Sequence, residues 1–386
     1  WRSDVRAHHA PRRVLSIPDL CPDRPRSPVV MSFGKVLYRT RHTTFHDASR
    51  NLLTGKRNPM SKIPMSQPAR SVSTPAENTV DRSWKPIIIY TALVFGLGWM
   101  MYIPGLLLNA GPTTLIGTIF STTFMWTPAV AAAAVVRFIE KKPLFSTLKI
   151  SLKGVWRKTL LWSLLSIPIA FILILASLGS SALLGTYHFD LTNLSEFQEV
   201  LETSGQTGLT TSQVWDAFWP RIAGVIPMLF LAGMVGALGE EIGWHAWLYP
   251  RLRDRLGVTA SLALTAIIWG LWHAPAILLG HNYPDNPQLG VLMFIITCAG
   301  LIIPIQLLMN WGGSVWAAAS AHAAIDAIAP ALLIFAPLND VNHPYDPVAA
   351  AFTGWGGWPV IVILFIAGAI ILKRDNTSQP STPAAG

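Results

Sequence analysis

Eight long apolar segments follow one another after residue 85, separated by shorter stretches that hold most of the polar residues. A helix needs about 20 apolar residues to cross a bilayer, and most of these segments are that long. They cover approximately residues 86–108, 114–139, 159–184, 218–248, 258–280, 290–309, 314–336 and 358–372. The pattern predicts an all-α fold, a polytopic membrane helix bundle of about eight transmembrane helices within residues 86–372.

The composition of the chain agrees with this pattern. Hydrophobic residues make up 51% of the sequence and charged residues only 13%, with a mean hydropathy of +0.42. These values exclude the ordinary soluble class. The 16 tryptophans suit membrane interfaces, where indole is favoured. Cys21 and Cys298 are too few for a disulfide framework or a thiolate metal cluster.

The distribution of charge predicts how the chain is oriented in the membrane. Basic residues cluster at 141–158, 251–255 and 373–374, whereas residues 187–215 carry acidic side chains and no Lys or Arg. Because basic loops stay on the cytoplasmic side, both termini are predicted to be cytoplasmic. Arg221, at the outer end of the fourth segment, is the only exception. We therefore expect a multi-pass membrane protein.

The two ends of the chain differ from the apolar segments. Residues 1–85 are basic and rich in Ser, Pro and Thr, which predicts a disordered cytoplasmic tail beside anionic membrane lipid. Without aromatic interleaving or a fold signature, the tail predicts no nucleic-acid partner. Since Met31, Met60 and Met65 are plausible starts, an upstream-extended reading frame is preferred over a targeting peptide. Residues 373–386 are predicted to be a cytoplasmic C-terminal tail.

Several ionisable residues lie inside the apolar segments, where burial is costly and a functional role is therefore expected. They are Glu240, Glu241, His245, His273, His322 and Asp326. Helical spacing places Glu241 beside His245 and His322 beside Asp326, because residues four apart share a face. At 1.5 Å per residue, these groups lie about 12–22 Å along their helices from the cytoplasmic ends. The matched depth favours one shared site, although a single buried histidine is more often a packing residue.

The residue types in this set suit hydrolysis. A glutamate can act as general base on a water molecule that a histidine helps to hold, and a His–Asp pair can bind a metal or an oxyanion. Serine catalysis is disfavoured because neither a G-x-S-x-G elbow nor a Ser–Lys pair is present. The soluble zincin motif H-E-x-x-H is also absent, so any metal would be bound from separate helices. A proton-coupled carrier would predict an inverted repeat, which the sequence lacks.

Three short motifs resemble those of the CAAX prenyl protease and bacteriocin-processing family, also called Abi. That family carries EExxxR, FxxxH and HxxxN on separate membrane spans, and here the corresponding stretches are 240–245, 269–273 and 322–326. The resemblance covers roughly residues 157–336. It implies an intramembrane, glutamate-dependent metalloendopeptidase of a bacterial plasma membrane, which cuts a peptide or prenylated peptide near the cytoplasmic leaflet.

The resemblance also implies roles for the individual residues. Glu240 would be the base that activates water and Glu241 would support it. His273 would help to hold the water, and His322 with Asp326 would stabilise the oxyanion or contribute to a metal site. A zinc or another divalent metal ion would be held by Glu240, His273 and His322.

The sequence departs from the family pattern at three positions. His245 replaces the arginine and so loses a permanently charged, forked donor. Asp326 replaces the asparagine, which turns a donor amide into an acceptor. Trp269 replaces the phenylalanine, a change expected to have little consequence. Because of these departures, a non-catalytic bacteriocin-immunity or peptide-binding membrane protein remains the alternative.

Overall fold

A computed structural model describes residues 83–108, 115–337 and 345–378. Within these ranges the chain is helical and contains no β-strand, which confirms the all-α prediction. The predicted disordered tail and its possible start sites lie outside the described residues, apart from the last few positions before the first helix.

The helices agree closely with the apolar segments of the sequence. They are α1 Lys85–Leu108, α2 Leu115–Ala134, α3 Leu144–Thr147, α4 Trp156–Leu183, α5 Ser195–Thr203, α6 Thr211–Glu241, α7 Tyr249–Trp272, α8 Ala274–Leu278, α9 Pro287–Gly312, α10 Val315–Leu333 and α11 Trp358–Ser378. Two π-helical segments, Val135–Glu140 and Ile242–Leu248, continue α2 and α6, and a 3₁₀ turn, Trp355–Gly357, precedes α11.

Seven helical stretches among the described residues are long and apolar enough to cross a membrane. One of them extends over 62 residues, Thr211–Trp272. At 1.5 Å per residue a straight helix of that length would measure about 93 Å, some three times the hydrocarbon core. Gly257 interrupts it with non-helical angles (φ 74°, ψ 177°). Because Trp269 then hydrogen-bonds back to Glu240, the stretch must fold over and contributes two of the eight predicted spans.

The centre of the bundle is formed by α9 and α10. Of the membrane-spanning windows, theirs are the most buried, at 67% and 72%. Helix α10 packs against α4, α6 and α9, and α7 packs against α9. The polar motif residues Glu240, Glu241 and His322 are therefore buried inside the bundle.

Small residues bring α6 and α10 close together. Ala237 on α6 packs against Ala319 and Ala323 on α10, and all three side chains are buried. A methyl group placed on Gly233 would lie 3.5 Å from the Cβ of Ala323, an ordinary contact. Large side chains at these positions would separate the two helices, so the small residues allow side chains near the end of α6 to reach α10.

Helix α2 approaches α6 even more closely at two glycines that flank the paired glutamates. A methyl group on Gly239 would lie 2.6 Å from the carbonyl oxygen of Met125. One on Gly243 would collide with Pro128 and with the hydroxyl of Tyr90. The backbone of α2 thus forms a wall of the region around Glu240, and only glycine fits against it.

We predict that Gly239→Ala lowers stability by about 1–3 kcal/mol, because the added methyl group must push the α2 backbone away. Gly224→Ala is the matched control on the same helix, since nothing lies within 4 Å of its added methyl group. The control should be neutral or stabilising by up to about 1 kcal/mol, because alanine is the better helix former. Thermal unfolding in one detergent measures both variants, and equal midpoints would contradict the close approach of α2.

Candidate functional site

The paired glutamates lie where α6 changes into a π-helical segment. Glu240 and Glu241 are the last two residues of α6, and Ile242–Leu248 continues as a π-helix. The two glutamates are 2% and 0% exposed. Segments of π-helix are rare and frequently occur at functional sites, because the wider turn redirects the side chains. Burial of both carboxylates requires that each finds hydrogen-bond donors.

Glu240 is held by two tryptophans. The indole N–H of Trp269 donates to Glu240 Oε2 at 2.7 Å, and the indole N–H of Trp244 donates to the same oxygen at 3.3 Å. No hydrogen bond between described residues engages the other oxygen, Oε1. One oxygen is therefore fixed in direction while the second is available to a water molecule or substrate.

Glu241 is held by two histidines instead. Its Oε1 accepts from Nδ1–H of His322 on α10 at 2.7 Å, and its Oε2 is in close contact with Nδ1 of His245. The second ring nitrogen of His245 donates to the carbonyl oxygen of Ile302 on α9 at 3.1 Å. The Glu241–His245 contact confirms the spacing argument from the sequence, whereas the partnership with His322 joins two motifs that lie on separate helices.

Asp326 lies at the outer side of this group. Its Oδ2 is 3.4 Å from Nε2 of His322, an ion-pair distance that is long for a hydrogen bond. The side chain of Asp326 is 47% exposed, whereas that of His322 is 7% exposed. The pairing that the helical spacing predicts is present, with Asp326 on the accessible side of the imidazole.

His273 lies at the C-terminal end of α7. Its Nδ1–H donates to the carbonyl oxygen of Trp269 at 3.0 Å, which leaves Nε2 as an acceptor in the neutral ring. The imidazole is packed edge-on against Trp272 and Phe294, with ring centroids 4.7 and 4.6 Å apart. This backbone hydrogen bond and the aromatic walls fix the orientation of the ring.

The indole of Trp269 lies beside four of the residues that the sequence singled out. Its ring centroid lies 5.5 Å from that of His322, 6.0 Å from His245 and 6.3 Å from His273, in addition to its hydrogen bond to Glu240. The structure therefore brings together all the residues that the sequence singled out. The expectation that tryptophan here differs little from phenylalanine is wrong, because phenylalanine has no N–H for Glu240.

Two further contributors were missed by sequence reasoning. Trp244, one helical turn after Glu240, could have been found from helical spacing. Tyr90 on α1 gave no signal, yet it is fully buried and stacks on Trp247 with centroids 4.4 Å apart. Its hydroxyl lies against Gly243, where a methyl group on the glycine would collide with it.

An ion pair closes the far end of the π-helical segment. Arg251 donates through Nε and Nη2 to both oxygens of Glu140, at 2.6 and 2.5 Å. It also donates to the carbonyl oxygen of Trp247 at 2.9 Å, and its guanidinium lies 4.4 Å from the centroid of that ring. The sequence places Glu140 and Arg251 in two basic flanking stretches that are far apart along the chain, and it does not predict their contact.

The donor atoms do not converge as a metal site would require. Among the described residues, no group of three or more His, Cys, Asp or Glu side chains is arranged to hold a metal ion. His322 directs Nδ1 to Glu241 and faces Asp326 with Nε2, so neither nitrogen is shared with Glu240. The predicted zinc set of Glu240, His273 and His322 does not fit this arrangement.

The segment that contains the buried glutamates and histidines is similar to known proteins. Residues 222–328 match the family model described as type II CAAX prenyl endopeptidase, Rce1-like. The chain is also 27% identical over 86 residues to CAAX prenyl protease 2 of Methanococcus maripaludis. That alignment covers 22% of this chain and 31% of the relative. The family match includes Glu240, Glu241, His273, His322 and Asp326.

We predict that Glu241→Ala destabilises the bundle by about 3–5 kcal/mol, because it leaves two buried histidines without their shared partner. Glu202→Ala is the control, since Glu202 is an exposed residue of α5. Thermal unfolding of both variants in the same detergent measures the difference. Equal midpoints for the two variants would show that Glu241 does not support the histidines.

Proposed function

We propose that the chain is a member of the type II, Rce1-like CAAX prenyl endopeptidases, which residues 222–328 resemble, and that it is an intramembrane endopeptidase whose general base is Glu240. The observation that carries this proposal is the division of Glu240 into one oxygen fixed by two indoles and one oxygen left available. A general base needs such an arrangement, because its acceptor must point at the proton that it removes.

In the proposed reaction, a water molecule is held between Oε1 of Glu240 and Nε2 of His273. Glu240 takes a proton from this water while the oxygen attacks the carbonyl carbon of the scissile peptide bond. The same proton then passes to the nitrogen of the leaving group as the C–N bond breaks. Nδ1 of His273 and Oε2 of Glu240 are engaged by other protein groups. Among the described residues, no hydrogen bond engages the two atoms that would face the water, Nε2 of His273 and Oε1 of Glu240.

The negative charge that develops on the carbonyl oxygen needs a hydrogen-bond donor. We assign this role to Nε2–H of His322, because Nδ1–H is engaged by Glu241 and the 3.4 Å separation from Asp326 is too long for a strong competing hydrogen bond. As a carboxylate, Asp326 cannot donate to the oxyanion, so its proposed role is to orient the imidazole. Glu241 acts through the two histidines rather than on the substrate.

We further propose that the cut is made near the cytoplasmic leaflet of a bacterial plasma membrane, with both termini in the cytoplasm. Glu240 lies about 15 Å along the helix from Pro250, and the basic residues Arg251, Arg253 and Arg255 follow directly. The proposed substrate class is a prenylated C-terminal peptide. Its lipid chain would hold the peptide at this depth, because each buried methylene contributes about 0.8 kcal/mol to membrane binding.

Glu240→Gln is expected to lower kcat/KM by about 10²–10⁴, because glutamine keeps the shape of the side chain but cannot accept the proton. The measurement uses purified protein in lipid and a fluorogenic peptide that carries a farnesylated cysteine followed by a C-terminal tripeptide. Glu202→Gln, an exposed residue of α5, should retain wild-type activity. Equal cleavage by Glu240→Gln and wild type would overturn the proposal. Binding without cleavage by either protein would favour a peptide-binding or immunity protein.

Chelation tests the role of a metal ion separately. Because both nitrogens of His322 face carboxylates, we expect 1,10-phenanthroline or EDTA to lower cleavage by less than about twofold. Elemental analysis of the same sample should then find well below one zinc per chain. Loss of activity on chelation, with recovery on adding zinc, would restore the metal assignment.

A further inference from the structure

Four side chains form one continuous series of contacts across the bundle. In spatial order they are His245, Glu241, His322 and Asp326, and we refer to them as the carboxylate–imidazole chain. The buried end is attached to α9 through the carbonyl oxygen of Ile302, and the accessible end is the half-exposed carboxylate of Asp326. The carboxylate–imidazole chain therefore connects α6, α9, α10 and the π-helical segment.

The two ends of this chain are the two positions at which the sequence departs most from the motifs it resembles. An arginine at position 245 would bring a permanent charge and a fork of donors, and an asparagine at 326 would bring an amide donor. Here an imidazole and a carboxylate take their places. Although positions 245 and 326 belong to different motifs on different elements, both departures contact the same pair, Glu241 and His322.

We propose that His245 and Asp326 are positioning residues that act as a pair, holding the Glu241–His322 contact from its two ends and so orienting the imidazole of His322 beside Glu240. Neither is a catalytic residue in this scheme, since neither is assigned to the reacting atoms. The kinetic consequence rests on the proposed peptidase function, whereas the structural consequence for His322 does not.

The burial of the chain makes its members depend on one another. Glu241 and His245 are both fully buried, so a movement of His245 cannot be compensated by water. Such a movement would rotate the carboxylate of Glu241. Because the other oxygen of this carboxylate accepts from His322, the imidazole of His322 would move as well. Hydrogen-bonded groups in a low-dielectric interior strengthen one another in this way. Groups that act as a unit give strongly non-additive losses, whereas independent sites give additive free energies.

Two substitutions at position 245 separate the bond to Glu241 from the bond to Ile302. In His245→Asn the amide can replace Nδ1 and keep a donor for Glu241, whereas in His245→Gln it reaches Ile302 and loses that donor. We expect His245→Gln and Asp326→Asn each to lower kcat about 10–100-fold with KM nearly unchanged, as loss of an orienting residue does. His245→Asn should lose less than about fivefold. Asp254→Asn, at an exposed surface pair, is the control and should retain wild-type kcat.

The double variant His245→Gln/Asp326→Asn decides whether the pair acts together. If it does, kcat of the double variant should be no more than about threefold below that of the less active single variant, because one substitution already interrupts the carboxylate–imidazole chain. If the two losses multiply, the residues act independently and the proposal is wrong. Equal losses in His245→Asn and His245→Gln would also contradict it, because the donor to Glu241 would then not matter.

A spectroscopic measurement tests the chain without any substrate. The ring-nitrogen resonances of His322 can be followed in ¹⁵N-histidine-labelled protein in lipid nanodiscs and assigned by their absence in His322→Asn. We expect them to shift in His245→Gln although residue 245 does not touch His322, and to stay in place in Asp254→Asn. Unchanged resonances in His245→Gln would overturn the proposal. If wild type cleaves no peptide, the peptidase function fails, but the resonances of His322 still show whether His245 orients His322 through Glu241.

Discussion

Burying two adjacent carboxylates in an apolar helix bundle removes their hydration and sets two negative charges side by side. In the structure, the two carboxylates have different hydrogen-bond and ion-pair partners. Glu241 contacts two imidazoles, which can share its charge, whereas Glu240 receives only neutral indole N–H groups. Different environments let neighbouring carboxylates take different roles. The proposed division between a supporting anion and a base that exchanges protons follows from that difference.

The arrangement depends on how closely the helices approach one another. Gly239 and Gly243 let the backbone of α2 lie against the turn that carries the glutamates, and small residues let α10 bring His322 to Glu241. The Arg251–Glu140 pair then closes the π-helical segment at its far end. Much of this support comes from α1 and α2, outside the matched residues 222–328. The matched segment contains the groups for which we propose a catalytic role, and the first two helices pack against them.

Particular residues show how far sequence reasoning reached. The contact of Glu241 with His245 follows from four-residue spacing, and the apolar segments agree with the observed helices to within a few residues at most ends. Spacing is also enough to find Trp244. The sequence could not show that Trp269 donates to Glu240, because hydropathy treats tryptophan and phenylalanine as similar side chains. The sequence could not show that Glu140 pairs with Arg251, because each lies in a basic stretch for which exposure to solvent is the ordinary expectation.

The sequence by itself determined the all-α membrane class of the protein, the approximate limits of most of its long apolar helices, and the ionisable residues whose burial suggests a function. These properties follow from local hydropathy and helical periodicity. Only the tertiary structure decided which donor serves which carboxylate, since Glu240, Glu241, Trp269 and His322 meet through packing between separate helices. The change from α- to π-helix after Glu241 belongs to the same group, because the contacts with α2 and α9 that surround it come from distant parts of the chain.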